Sequence, residues 1–260
     1  MSIRDMSPKI PSRRLFGLDI LAAGFDEAVE LLAQSAAGGD GCARVVVTPN
    51  VDHIVRLDKD RTLRQIYARA DFIFADGMPV LWASRLLRRP LPARVTGADL
   101  FVAMCHEAVT HDWRVALIGG MPGQEAMIRE RFETYYPGLR IDVTCPSMSF
   151  EPLGEEGERI ASRIRETAPH LIFVCLGLPK QEYWAMRHAP TLPRGVIFCV
   201  GAAMEFAIGM QRRAPHWVQR IGAEWLWRLV SNPRRLWRRY LVEDTRFLSL
   251  CWREWRERAV

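Results

Sequence analysis

Asp76 follows the apolar run 72–75 and precedes Gly77. A carboxylate at a strand end, beside a flexible residue, can face a crevice and take a proton from a substrate hydroxyl. The same Asp-Gly pair also reads as a turn or as a cap on a helix over 78–87. Thr48 and Asn50 stand in Thr48-Pro49-Asn50, after the apolar residues 45–47. They can hydrogen-bond a sugar or an acceptor, or cap a helix starting near Val51. Gly119, Gly120 and Gly177 allow the backbone to approach a phosphate at a helix N-terminus, or make ordinary tight turns. Neither glycine site follows the GxGxxG or phosphate-loop pattern. In Gly177-Leu178-Pro179-Lys180-Gln181-Glu182, Lys180 is one of three lysines in the chain. Its ammonium can meet a phosphate or sugar oxygen, or simply begin a solvated helix. Glu205 lies just beyond Gly201, where a carboxylate can hold ribose hydroxyls or merely charge a helix face.

These residues share a context. Short apolar runs at 45–48, 72–75, 114–118, 171–176 and 196–200 read as buried strands, with 141–143 a further candidate. Segments of helical spacing separate them, at 54–70, 98–110, 122–136 and 155–167. The alternation predicts an α/β fold: a Rossmann-like, mostly parallel sheet with helices on both faces. Ligands of such sheets bind beyond the carboxyl ends of the strands. Five strand exits carry small, polar or Gly/Pro-rich residues, which suggests a composite crevice.

The rest of the chain has a different character. Residues 210–260 hold twelve Arg, no Lys, five acidic residues and six of the nine Trp, while the whole chain carries a net charge of +6. The basic character therefore belongs to one C-terminal segment over a near-neutral body. The expected division is a catalytic core over 1–209 and a helical, membrane-associating appendage over 210–260. Within the appendage, Ser231-Asn232-Pro233 reads as a helix stop followed by a new start with Pro at the first position. Guanidinium groups grip phosphates, and Trp suits an apolar–polar boundary. No run of about 18 apolar residues predicts a membrane-crossing helix. The N-terminal residues 1–14 lack a signal-peptide core. The six Cys form no CxxC and read as reduced core thiols. The six His show no metal-ligand spacing. Asp58-Lys59-Asp60 has an Asp-x-Asp form that can hold a divalent ion, but it falls within an amphipathic helix and is expected on a solvated face.

Taken in order, these motifs resemble the WecG/TagA/CpsF family of bacterial glycosyltransferases. The resemblance rests on Thr48-Pro49-Asn50, Ala75-Asp76-Gly77, the stretch from Arg94 to Leu100, and Gly177-Leu178-Pro179-Lys180-Gln181-Glu182. It extends through Arg213-Ala214-Pro215, Glu224-Trp225 and the stretch from Pro233 to Tyr240. It implies an inverting transfer from a UDP-sugar to an undecaprenyl-diphosphate saccharide, in exopolysaccharide or cell-surface polysaccharide biosynthesis. The protein would sit peripherally on the inner face of the cell membrane and use neither a metal nor another cofactor. A homo-oligomer is compatible with this. The resemblance places Asp76 at the family's proposed base. It places Thr48, Asn50, Arg94 and Gln181 at active-site polar positions. Arg228, Arg235 and Arg238 stand where arginines are proposed to reach the donor diphosphate or the lipid phosphate. Two stretches depart from the family pattern: Ser147-Met148-Ser149-Phe150 and Glu205-Phe206.

Three other classes are weighed by the same residues. A nucleic-acid binder would use the Arg/Trp segment to grip phosphate and stack bases, but the near-neutral body argues against it. A nicotinamide-dependent oxidoreductase would want GxGxxG after the first strand. A non-catalytic membrane scaffold leaves the strand-exit motifs without a purpose.

Overall fold

A computed structural model describes residues 10–39, 41–215, 217–218, 222–231 and 233–257. The protein is an α/β molecule built on a six-stranded, all-parallel sheet. A short antiparallel hairpin comes first, Ser12–Leu15 (β1) and Leu18–Leu21 (β2), turning at Phe16 and Gly17, both at positive φ. The sequence pattern did not reveal this hairpin, because charged residues interrupt both strands, Ser-Arg-Arg-Leu and Leu-Asp-Ile-Leu, and leave no continuous apolar run.

The sheet strands are Arg44–Val47 (β3), Phe72–Ile73 (β4), Arg114–Gly119 (β5), Arg140–Thr144 (β6), Leu171–Cys175 (β7) and Val196–Cys199 (β8). They lie in the order β4-β3-β8-β7-β5-β6. The chain thus lays down both flanks first and fills the centre last. As a result β8 joins β3 to β7, with Val47 opposite Cys199 and Cys199 opposite Val174.

Alternate residues of each central strand enter opposite faces, as the two-residue strand period requires. Val45, Val47, Ile172, Val174, Ile197 and Cys199 belong to one apolar cluster. Val46, Leu171, Phe173, Val196 and Phe198 belong to the other. Phe25–Ala37 (α1), Gly97–Thr110 (α5), Glu125–Tyr135 (α6) and Ala203–Ala207 (α9) contribute to the second cluster. The first is covered by Val51–Lys59 (α2), Arg61–Tyr67 (α3), Met78–Leu86 (α4), Glu155–Thr167 (α7) and Lys180–His188 (α8). The helical stretch expected over 54–70 is two helices. Asp60 ends α2 and its side chain accepts from Leu63 N–H to start α3.

The C-terminal segment forms Glu224–Ser231 (α10), Pro233–Arg238 (α11), a π-helical turn Arg239–Glu243 and Arg246–Glu257 (α12). The new helix starts at Pro233, as the sequence indicated. Helix α12 docks on the core. It buries Phe247, Leu250 and Cys251, and burial contributes about 1.5–3 kcal/mol for each large apolar side chain. Its Glu254 accepts the backbone N–H of Phe16 at 2.6 Å and a bond from Arg89 at 2.9 Å, which ties it to the hairpin. Arg246 and Arg253 reach Asp58 at 2.8 and 2.6 Å.

This corrects the expected place of Asp58. Its side chain is only 10% exposed and serves as the anchor of α12, not as part of a solvated face. Burial alone would push its carboxyl up, but bonds from Arg253 and Arg246 outweigh that and hold it low. All six cysteines are free thiols. No helix among the described residues is long and apolar enough to cross a membrane.

Candidate active site

The strand order brings the motifs to one edge of the sheet in a fixed sequence. Asp76 follows β4, Thr48-Pro49-Asn50 follows β3, Gly201 follows β8, Gly177 follows β7, and Gly119-Gly120 ends β5. Backbone bonds hold the first pair together. Asp76 N–H donates to Pro49 O at 3.0 Å, and Val95 N–H donates to Ala75 O at 3.0 Å.

A cavity of about 340 Å³ opens beside this pair. Its polar lining includes Asn50, Asp52, Asp76 and Arg94 from the core and Glu224, Asp244 and Thr245 from the C-terminal segment. Its apolar lining includes Met78, Pro79, Trp225, Tyr240, Phe247 and Leu248. The appendage therefore supplies much of the apolar wall. Trp225 and Tyr240 meet edge to face with ring centroids 6.0 Å apart, a favoured aromatic geometry. Tyr240 sits in the π-helical turn, a local form often found at functional sites.

Asn50 does two things at once. Its side chain accepts from His53 N–H at 3.2 Å, capping α2, while the residue faces the cavity. Both readings of this residue are thus compatible. Thr48 is buried, and its hydroxyl packs against Gly97, where a Cβ would come within 2.9 Å of Thr48 Oγ1.

Arg94 lines the cavity and belongs to an ion-pair network joining core and appendage. It lies 3.5 Å from Glu224 and 3.8 Å from Asp99. Arg213 reaches Glu224 at 3.6 Å, and its guanidinium also bonds Asp99, with a 3.3 Å contact to Asp99 Oδ2. Thr96 caps α5 through Asp99 N–H at 3.0 Å and gives its own hydroxyl proton to Asp99 Oδ2 at 2.7 Å. Burial would raise the Asp99 carboxyl, but Arg213, Thr96 and Arg94 together hold it below its ordinary value. Three stretches that read as separate motifs, around Arg94–Asp99, Arg213 and Glu224-Trp225, are one latch across the cavity.

Gln181 sits elsewhere than an exposed substrate ligand would. It is 1% exposed, and its side-chain oxygen accepts Gly177 N–H at 3.1 Å and Gly201 N–H at 3.0 Å. It holds the two central loops together from beneath. Gly177 and Gly201 both have positive φ and open space where a Cβ would stand. Gly120 is fixed by packing instead: a Cβ there would meet Ile128 Cδ1 at 2.5 Å and Cys145 Sγ at 3.1 Å. Gly119 allows close approach to Cys175, whose Cβ would be 2.7 Å away.

Pro179 follows a cis peptide bond and caps α8. Lys180 donates to Phe150 O at 2.7 Å, so its ammonium ties down the 147–150 loop and is not free on a helix start. Glu205 is half-buried in α9. Arg238 is largely exposed, pairs with Glu243 at 3.9 Å, and is not in the cavity wall. The side chains of Arg228 and Arg235 lie outside the described residues.

Sequence reasoning missed two groups. Trp225 and Tyr240 were visible as aromatics within motifs, but nothing in their spacing assigned them to the Asp76 cavity. Tyr67 and Glu182, both fully buried beneath the crevice, gave no signal beyond the motif that contains Glu182.

An all-parallel sheet with a mainly apolar cavity that also carries polar side chains, beyond its carboxyl edge, defines a ligand-transforming or ligand-binding α/β protein. The chain belongs to the glycosyl transferase WecG/TagA/CpsF family, whose model matches residues 13–260. It is 30% identical over 196 residues to a Bacillus spizizenii protein named N-acetylglucosaminyldiphosphoundecaprenol N-acetyl-beta-D-mannosaminyltransferase, covering 75% of this chain and 74% of that one. A protein of the same name from Bacillus subtilis is 28% identical over 197 residues, covering 76% and 75%.

Proposed function

We propose that this protein transfers a sugar, with inversion, from a UDP-sugar to a polyprenyl-diphosphate-linked saccharide. The observation that carries this reading is the amphipathic cavity. Its lining combines polar side chains, among them Asn50, Asp76 and Arg94, with apolar ones, among them Trp225, Phe247 and Leu248, which suits one ligand with a sugar head and an isoprenoid tail. The names of the two Bacillus relatives, which describe transfer to an undecaprenol-linked acceptor, support the same acceptor class.

In this mechanism Asp76 accepts the proton of the acceptor hydroxyl as its oxygen attacks the anomeric carbon of the donor. The new C–O bond forms as the bond to the UDP oxygen breaks, and UDP leaves with the electron pair. Asn50 orients the acceptor. The open backbone at Gly177 and Gly201, held by Gln181, gives the donor phosphates close approach. Arg228 and Arg235 of the appendage meet the charge that develops on the diphosphate. Arg238, on the outer surface, suits the lipid phosphate. The reaction as proposed requires no metal and no other cofactor.

Exposed apolar side chains support a peripheral membrane position on the inner face of the cell membrane, within cell-surface polysaccharide biosynthesis. Trp217, Trp237, Leu248, Trp252 and Trp255 are all more than half exposed on the appendage, and Leu86 of α4 is 64% exposed. Patches of this kind mark partner or membrane surfaces.

The test is UDP release by purified protein given a panel of UDP-sugars and a short-chain prenyl-diphosphate saccharide, with and without EDTA. Release that depends on the acceptor and survives EDTA supports the reading. UDP binding without release on any acceptor of this class counts against it.

A further inference from the structure

We propose that Tyr67 and Glu182 are positioning residues, a buried polar relay that joins the Asn50–Asp76 wall of the crevice to its Gly177–Gly201 floor. For its kinetic readout the proposal rests on the transferase reading above; its spectroscopic readout does not.

The relay has two hydrogen-bonded halves. Gly177 and Gly201 donate to the Gln181 side-chain oxygen, and Gln181 Nε2 donates to Glu182 Oε1 at 2.9 Å. Glu182 is wholly buried, and its second oxygen, Oε2, has no hydrogen-bond partner among the described residues. Buried polar atoms are nearly always paired, and an exception calls for a role. Tyr67 is also wholly buried, and its hydroxyl lies 3.1 Å from His53 Nδ1. His53 N–H in turn donates to the Asn50 cap in the cavity wall.

Helices α3 and α8, which carry the two wholly buried side chains, pack against each other and bring the halves together, and electrostatics act between them. Tyr67 ionises only well above its ordinary range, first because of burial and then because of the charges of Glu182, Cys199 and Asp76. Tyr67 therefore senses both Glu182 and the proposed base. Around Glu182 the ionisable neighbours are Tyr67 from α3, Cys199 from β8 and Arg56 from α2. Burial pushes the Glu182 carboxyl up to about 7, against weaker opposing effects of Gln181, its own backbone and Arg56. At neutral pH the relay thus holds a proton that can come or go. Its charge acts on the Tyr67 hydroxyl and, through His53, on the start of α2. Apolar surroundings make that influence stronger than in water.

The experiment uses the full chain, with Tyr67→Phe and Glu182→Gln compared with the unaltered protein. First, the Cζ resonance of Tyr67 is followed by carbon-13 NMR between pH 5 and 9. A step with its midpoint near 7, where no tyrosine ionises, is expected, and Glu182→Gln should abolish it. Second, the His53 ring nitrogen resonances should move in both variants. Third, kcat of Tyr67→Phe should fall tenfold or more with donor KM changed less than twofold, and the pH profile of kcat should lose an inflection near 7 in Glu182→Gln. A flat Tyr67 trace in the unaltered protein overturns the relay without recourse to any variant. So do His53 resonances indifferent to Glu182→Gln. If no donor is turned over, the transferase reading fails while the NMR results still judge the relay.

Discussion

Gln181→Leu separates a strut from a substrate ligand. The change keeps side-chain volume close and removes one oxygen that accepts two backbone N–H groups, at 3.1 and 3.0 Å, in a residue 1% exposed. An orphaned buried donor costs about 1–3 kcal/mol. Gly177 and Gly201 are only half-buried, which favours the lower part of that range for each. The Glu182 Oε1 also loses its donor. The sum is a loss of about 2–4 kcal/mol. For a chain of this size that lowers Tm by about 5–15 °C, at about 2–4 °C for each kcal/mol. The assay is urea unfolding and thermal melting of both proteins, with kcat and donor KM measured on the same samples at 20 °C. A fall in stability accompanied by a fall in kcat fits the strut. Stability within about 0.5 kcal/mol of the unaltered protein, together with a large rise in donor KM, would refute the reasoning and make Gln181 a direct ligand.

Other outcomes follow from particular contacts. Arg213→Ala removes the centre of the latch between Asp99 and Glu224. Partly buried pairs of this kind cost about 2–3 kcal/mol to break, so limited proteolysis should cut the segment between 215 and 245 much faster while the sheet core survives. Because the Asp99 carboxyl is held low in the folded protein, its stabilising contribution is present above the ordinary carboxylate value and is lost as pH falls through the folded value; the same proteolysis should accelerate in the unaltered protein below about pH 4. Glu182 acts with the opposite sign. Its folded value is raised, so its contribution is full below the ordinary 4.5 and is lost as pH rises through about 7. That gap corresponds to about 3 kcal/mol, and denaturant midpoints of Glu182→Gln should lack this component of the pH slope. Trp252→Ser with Trp255→Ser, both on exposed positions of α12, should weaken sedimentation with anionic vesicles about tenfold or more without changing the melting temperature by more than a few degrees; undiminished sedimentation would remove α12 from the membrane surface.

The sheet was legible because buried parallel strands are short continuous apolar runs, and five of its six members stood out as such. The sixth, β6, was only suggested: Arg140, Asp142 and Thr144 interrupt its apolar positions, as an edge strand permits. Glu155–Thr167 was legible to its ends, since acidic residues fill its first turn and its apolar positions recur at helical spacing. The split at Asp60 was missed because the apolar spacing continues across a residue that is at once the end of one helix and the cap of the next. Site geometry was harder to read. The positions of Asn50 and Asp76 at the cavity were legible because they adjoin strand ends, where local sequence dictates position. The latch and the aromatic wall depend on contacts between residues more than a hundred positions apart, such as Arg94 with Glu224. Motif reading gave those residues names but no partners. The same limitation hid Asp58, whose charge answers Arg246 and Arg253 nearly two hundred residues away.

The central claim is that Asp76 is the base of a sugar transfer in the cavity that the appendage completes. Its most direct test is single-turnover transfer to a prenyl-diphosphate saccharide by Asp76→Asn, with UDP binding measured on the same protein. The account predicts a rate lowered by about 10²–10⁴, with UDP affinity within threefold and the pH dependence of the residual rate flattened. An unimpaired rate, or a loss explained wholly by weaker UDP binding, would contradict it.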